Sequence, residues 1–236
     1  MKAQELWKQG KLEEAIESLG VELRSDPTDV QRRTFLFELL CFSGQFDRAE
    51  KQLDVIAQGS QEAGMGALLY RSAIHADRDR QAMFASGDFP TTVAPKPVSG
   101  TLNGNPFDVF VDGDPRIGAR LEVFAAGQYT WIPFAHITSV HVEPPKRLRD
   151  LIWIPAIVRT GPAFEGLELG EVLLPVLAPE SARHEDANVR LGRVTQWRDL
   201  NGQGQAPVGQ KLFLVDDDEF PILEVRDLEF TPPADA

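Results

Sequence analysis

Apolar residues in the first ninety positions recur at helical spacing, and Pro or Gly residues interrupt each run. One such stripe consists of Leu12, Ala15, Ile16, Leu19 and Leu23. The breaks fall at residues 26–29 and 59–60. The pattern therefore predicts five helices, over residues 2–9, 11–24, 30–43, 46–57 and about 62–85.

Within this helical half, one arrangement of residues occurs twice, 34 positions apart. The matched pairs are Leu6 and Leu40, Gly10 and Gly44, Leu12 and Phe46, Ala15 and Ala49, and Leu19 and Leu53. This period, with a Gly at the turn and a small residue after it, is typical of tetratricopeptide helix pairs. The Gly permits a tight turn, and the Ala lets the two helices approach closely. The alternative is a pair of ordinary helical hairpins whose spacing matches by chance.

After residue 106 the apolar period changes from helical spacing to two, as in strands. Candidate strands are residues 107–111, 120–124, 129–132, 137–142, 151–158, 171–177, 211–215 and 222–230. Pro155 and Pro175 interrupt two of them, which favours positions at sheet edges or bulges. A short helix is expected near residues 180–190. The second half is therefore predicted to be mainly antiparallel β, as a bent sheet or a partial barrel.

Pro and Gly residues are concentrated between residues 87 and 106, where helix is disfavoured. We accordingly predict a tetratricopeptide-like helical domain at residues 1–90, a linker at 91–106 and a β-rich domain at 107–236. The fold class is α+β. The fifth helix has no partner to complete a third pair, so it is expected to cap the stack.

The charge composition of the chain argues against two classes of partner. The chain has 236 residues and a net charge of −12, from 24 basic and 36 acidic residues. This balance argues against nucleic acid and against anionic lipid as partners. No run of about 20 apolar residues is present for a membrane helix, and the N-terminus lacks the apolar core of a signal peptide. The single cysteine, Cys41, suits a reducing compartment, so the expected location is the cytoplasm.

No catalytic constellation is apparent in the sequence. Cys41 lies in an apolar helical run and is expected to be a packing residue rather than a nucleophile. No cofactor is expected. The alternative is an enzyme with a metal site in the β-rich half, built from His136, His184 and the acidic stretch 216–218.

Two features point to protein binding. The first is a stripe on the third helix, spaced three or four residues apart: Arg32, Phe35, Glu38 and Phe42. The second is a basic island in an acidic chain, residues 146–153, with candidate contacts Arg149, Asp150 and Trp153. Each has a structural alternative. At least two residues of the stripe must pack the core. For the basic island, the alternative is that Arg149 and Asp150 make structural ion pairs and that Trp153 fills the sheet core.

Several segments, in order, resemble one protein family. They are Arg33-Thr-Phe-Leu-Phe-Glu-Leu-Leu40, Gly44-Gln-Phe-Asp-Arg-Ala-Glu-Lys-Gln-Leu53, Gly127-Gln-Tyr-Thr-Trp-Ile-Pro-Phe134, Leu148-Arg-Asp-Leu-Ile-Trp-Ile-Pro155, Val189-Arg-Leu-Gly-Arg193 with Trp197, and Leu214-Val-Asp-Asp217. Their order over nearly the whole chain resembles the ImpE family, also called SciE or TagJ, of accessory proteins encoded with bacterial type VI secretion systems.

The resemblance implies a non-enzymatic adaptor. It implies binding to a helical segment of the small subunit of the contractile sheath, and action near the AAA+ ATPase that recycles sheaths. It assigns no specific contact residue, and it leaves the oligomeric state open.

Overall fold

Helices make up most of the first ninety residues of the structure, a computed structural model that describes residues 2–90, 98–161, 169–202 and 204–231. They are α1 (Lys2–Lys8), α2 (Leu12–Ser25), α3 (Val30–Phe42), α4 (Phe46–Ile56), α5 (Gln61–Ser86) and, far along the chain, α6 (Ala187–Arg190). Asp29 caps α3 by accepting the Arg32 N–H at 2.8 Å, and Ser60 caps α5 in the same way through Ala63. The five predicted N-terminal helices and the short later helix are thus present.

The two helical hairpins use the matched positions of the repeat in the same way. Gly10 and Gly44 both have positive φ, +77° and +67°, at the turn between paired helices. The apolar members of the matched pairs after each turn are all buried: Leu12, Ala15, Leu19, Phe46, Ala49 and Leu53. The sequence period therefore corresponds to a structural repeat of turn and core positions.

The β-rich half consists of short strands. They are β1 (Gly100–Leu102), β2 (Asn105–Phe107), β3 (Phe110–Asp112), β4 (Arg120–Ala125), β5 (Gln128–Pro133), β6 (Ile137–Val142), β7 (Trp153–Thr160), β8 (Gly170–Pro175), β9 (Gln196–Asp199), β10 (Gln205–Val208), β11 (Leu212–Val215), β12 (Asp218–Pro221) and β13 (Asp227–Phe230). In the described ranges, eight of them form one antiparallel sheet in the order β2-β1-β13-β6-β7-β8-β4-β5. The sheet is open, and the fold is α+β as predicted.

The large sheet is covered on both faces. Because side chains alternate along a strand, Phe124 and Leu173 pack with the helices, while Val123 and Val172 enter a second core. The second core lies against the small sheet β12-β11-β3, which contributes Phe213. The helical half and the sheet therefore share one continuous apolar core.

Strands β7 and β8 lie inside the sheet, so the expectation that their prolines place them at edges was wrong. Pro155 pairs with Leu173 of β8. On its other side, β6 pairs with β7 only from Ala156 onward. Pro155 therefore stands where β7 has a single neighbour, and its missing N–H removes no bond to β6. Pro175 is the last residue of β8.

Part of the predicted linker forms strands. Residues 91–97 lie outside the described residues, but β1 pairs with β13, and β2 pairs with β1. Gly100 is required at this point, because an added Cβ would stand 1.9 Å from the Glu229 carbonyl oxygen. Of the described helices, none combines the length and the apolar character needed to cross a membrane.

Candidate protein-binding site

A groove lies between α1 and α3, the first helices of the two hairpins. Its volume is about 520 Å³. Its walls are residues of the two helices and one residue of the β-rich half: Gln4, Trp7, Lys8, Val30, Gln31, Thr34, Phe35, Glu38 and Leu148. The lining combines apolar and polar side chains, as does a groove that receives one face of an amphipathic helix.

Trp7 is held rigidly in the groove wall. Its ring meets Phe35 edge-on, with centroids 6.2 Å apart. The Arg193 guanidinium lies 5.0 Å from the Trp7 ring and donates to the carbonyl oxygens of Trp7 and Lys8 at the end of α1. Within the described part of the chain, the buried indole Nε1 of Trp7 has no hydrogen-bond partner.

The residues of the predicted stripe on α3 lie in different environments in the structure. Phe35 and Glu38 line the groove, whereas Phe42 is fully buried and is one of the stripe residues that pack the core. The reason is that residues 36–42 of α3 are buried on all sides. Arg32 instead forms ion pairs with Glu22 at 3.0 Å and Asp29 at 2.6 Å, and it ties α3 to α2.

Glu38 is a buried residue although it lines the groove. Its residue exposure is 7%, and its carboxylate lies 3.7 Å from the Arg149 guanidinium. Burial raises the pKa of Glu38 to about 7, although Arg149 acts in the opposite direction. Its position between the groove and Arg149 connects the groove with the β-rich half.

The basic island binds the chain's own helices. Arg149 stacks over the Tyr70 ring of α5 at 4.9 Å, and Tyr70 stacks on Trp153 at 6.3 Å. The buried Trp153 donates its indole N–H to Asp77 of α5 at 2.9 Å. These contacts match the structural alternative for Arg149 and Trp153.

Asp150 also has an internal role. Its carboxylate accepts the backbone N–H groups of Lys146 and Arg147, both at 2.8 Å, and this closes the turn before the segment 148–151. The side chains of Asp150 and Trp153 therefore hold the junction between helices and sheet together rather than presenting an exposed surface.

A buried cluster of charges lies under α5, and no local sequence pattern indicates it. Glu122 of β4 pairs with Arg80 of α5 at 2.8 Å and with Lys211 at 2.6 Å, and Lys211 also pairs with Asp112. Tyr129 donates its hydroxyl to Glu122. The members come from positions up to 131 residues apart, and each looks like an ordinary polar residue in its own strand or helix.

The electrostatics of this cluster follow from burial and pairing. Burial alone would raise the pKa of Glu122, but Arg80 and Lys211 lower it to about 2. Burial raises the pKa of Asp112 to about 7, against the effect of Lys211. Two cations and two carboxylates thus satisfy one another in the core, and the arrangement joins α5 to the sheet.

The structure does not assemble the alternative metal site. Among the described residues, no group of three or more His, Cys, Asp and Glu side chains is placed to hold a metal ion. His184 accepts the Asp186 N–H, and Asp216 accepts the N–H groups of Asp108 and Val109. These side chains therefore have local roles in turns. Cys41 is buried, as expected for a packing residue.

Comparisons with known proteins agree with this architecture. The sequence model of the ImpE protein family matches residues 104–229. TagJ, a type VI secretion system accessory component of Pseudomonas aeruginosa, is 32% identical over 266 residues, covering 98% of this chain and 92% of TagJ. A crystal structure of a protein from Vibrio parahaemolyticus has a TM-score of 0.84 at 22% identity and covers 99% of each chain. This last likeness concerns the fold alone.

Proposed function

The chain belongs to the ImpE family, and from this premise we propose that it is a non-enzymatic accessory protein of a bacterial type VI secretion system. The proposal includes binding of a helical segment of the small sheath subunit, action near the AAA+ ATPase that recycles sheaths, and a cytoplasmic location. The relative TagJ supports the accessory role through its name and its 32% identity. The partners follow from the resemblance stated above.

The groove between α1 and α3 is the surface that we assign to the sheath helix. One observation carries this assignment: the groove between the two hairpins is lined by the apolar side chains of Trp7, Val30 and Phe35 together with polar side chains. Val30, which is 47% exposed, extends the apolar area at the groove margin.

Titration of labelled peptides from the small sheath subunit tests the proposal. Phe35→Ala and Val30→Gln each remove apolar contact, and they are expected to weaken binding by roughly 1–3 kcal/mol, as for an interface anchor.

A matched control is Val21→Gln, because Val21 is 58% exposed on α2 and does not line the groove. It should leave affinity unchanged. Circular dichroism of every variant checks folding. If the wild type, Phe35→Ala and Val30→Gln bound the peptide with equal affinity, the sheath helix would not bind in this groove.

Elemental analysis separates the adaptor from the enzyme alternative. We expect purified protein to contain no stoichiometric metal and to show no hydrolase activity. A zinc or iron content near one per chain would favour a metal site that uses residues other than those assembled above.

A further inference from the structure

Glu38 supplies the one carboxylate that lines the groove between α1 and α3, as far as the described residues show. Lys8 is the other charged residue of the lining. The Glu38 side chain is only 9% exposed. An ionised carboxylate needs water or hydrogen-bond donors, and removing it from both is costly. The groove wall therefore contains a group whose negative charge opposes the approach of an apolar surface.

One cation compensates Glu38, and it does so at a distance. Arg149 Nη1 lies 3.7 Å from Glu38 Oε1, which is longer than a hydrogen bond. The Arg149 guanidinium lies over the Tyr70 ring of α5 at 4.9 Å. Its buried Nε has no hydrogen-bond partner within the described ranges. Arg149 thus stands between the aromatic ring and the carboxylate without a short contact to the carboxylate.

Burial dominates the ionisation of Glu38. It raises the pKa of Glu38 to about 7, with Asp150 acting in the same direction and Arg149 and Arg147 acting against it. Both protonation states are therefore populated near neutral pH. The titratable and charged groups around Glu38 come from four elements: Arg147, Arg149 and Asp150 of the segment before β7, Lys8 of α1, Tyr70 of α5 and Cys41 of α3 itself.

A helix bound in the groove changes the surroundings of this carboxyl group. Trp7, Val30 and Phe35 line the same groove, so an apolar side chain that packs on them also displaces water from the remaining exposed part of Glu38. The neutral carboxyl group tolerates this loss of water far better than the ionised one. Because of this difference, the affinity for the helix and the protonation of Glu38 are linked.

We propose that Glu38 is a specificity-determining residue of the groove, which accepts the apolar face of a helix when Glu38 is protonated and opposes it when Glu38 is ionised. Binding therefore takes up a proton. This inference rests on the proposed function for the occupant of the groove, and it adds the protonation state in which the groove binds. A helix that placed a lysine or arginine on Glu38 would instead favour the ionised form and would bind more tightly as pH rises.

Titration at pH 6, 7 and 8 and constant ionic strength tests the inference, with a labelled, end-blocked peptide from the small sheath subunit as the probe. If only protonated Glu38 permits binding, the competent fraction falls from about 0.9 at pH 6 to about 0.1 at pH 8. The affinity of the wild type should accordingly fall about tenfold between these values.

Two variants assign this pH dependence to Glu38. Glu38→Gln is neutral at every pH and should keep the affinity that the wild type has at pH 6. The ratio of the two affinities at each pH cancels the titration of the peptide and of the rest of the protein. Lys8→Gln changes the other charged residue of the lining, and it should keep the fall seen with the wild type.

Calorimetry of the wild type gives a second measurement that does not depend on the folding of a variant. Titrations in two buffers of different ionisation enthalpy should show uptake of about 0.9 proton per bound peptide at pH 8.

Three results would overturn the inference: a wild-type affinity that is equal at pH 6 and 8, one that rises with pH, or binding without proton uptake. In each of these cases the peptide still binds, so the proposed function stands. Absence of binding at every pH would contradict the assignment of the groove as well as this inference.

Discussion

Arg80 of α5 and Glu122 of β4 form a two-point ion pair in the core, with Nε–Oε1 and Nη2–Oε2 distances of 2.8 and 2.9 Å. Their side chains are 5% and 0% exposed. Arg80 also donates to the Leu177 carbonyl oxygen at 3.0 Å. The helical half and the sheet are therefore joined by buried charges as well as by apolar packing.

Arg80→Met should destabilise the protein by about 3–5 kcal/mol, the usual cost of breaking a buried ion pair on one side. Glu122 would keep its ion pair with Lys211 but lose the two hydrogen bonds that Arg80 donates. Arg78→Met, two residues away on the same helix, is the control, because its side chain is 38% exposed and pairs with Asp47 and Glu50 at the surface. It should cost less than about 1 kcal/mol. Urea unfolding measures the free energy of unfolding of both variants. Similar losses of stability in Arg80→Met and Arg78→Met would show that the buried pair contributes no more than the surface pair.

The buried cluster shows where sequence reasoning reaches its limit. The helices follow from local periodicity, and the repeat follows from residues at a fixed offset, so both were predictable. Glu122 and Lys211 lie 89 positions apart by their numbers, and only the folded sheet brings them together. No local pattern distinguishes such residues from solvent-exposed charges in alternating strands.

The candidate site was predictable in part for a similar reason. The spacing of Phe35 and Glu38 correctly placed them on one side of α3, where both line the groove. It did not indicate that Arg149, from the other half of the chain, covers Glu38. Trp7 was missed because a single Trp in a short helix carries no signal until Phe35 and Arg193 are seen against it.

The burial of Glu38 predicts a specific dependence of stability on pH. Its pKa is raised from 4.5 to about 7 in the folded state. Between these values the folded state binds more protons than the unfolded state, so this contribution to stability is present below pH 4.5 and is lost as pH rises through 7. Glu38→Gln should therefore flatten the fall in unfolding free energy between about pH 4.5 and 7.

Asp112, whose pKa is also raised to about 7, contributes with the same sign in wild type and variant, so the comparison isolates Glu38. Urea unfolding at several pH values gives the slopes. Identical slopes for the wild type and Glu38→Gln would show that Glu38 is ionised in the folded protein throughout this range.

Protease cleavage tests the proposed division into a helical domain at 1–90 and a β-rich domain at 107–236. We expect cleavage between residues 87 and 99, in the Pro- and Gly-rich stretch. The two pieces should stay together on gel filtration, because the apolar core is shared and Arg80 remains paired with Glu122. Separation should require denaturant. Pieces that elute separately in native buffer would indicate two independent domains.

Three glycines distinguish backbone strain from side-chain crowding. Gly44 has φ of +67°, and an added Cβ would meet the Ala182 Cβ at 3.2 Å. Gly87 has φ of +72° but no atom within 4 Å of an added Cβ, whereas Gly20 lies inside α2 with free space and no positive φ. Gly87→Ala should cost about 1 kcal/mol from strain alone, and Gly44→Ala should cost more. Gly20→Ala should instead stabilise the protein by about 0.5–1 kcal/mol, because Ala favours helix.

Thermal and urea unfolding of the three variants measures this order. The reasoning depends on the left-handed turn that the helical repeat places between its paired helices. If Gly44→Ala were as stable as wild type, the tight turn would tolerate a side chain, and the glycine at this repeat position would have no conformational role. If Gly20→Ala were the most damaging of the three, crowding inside α2 would have to outweigh helix propensity, contrary to the open space around that position.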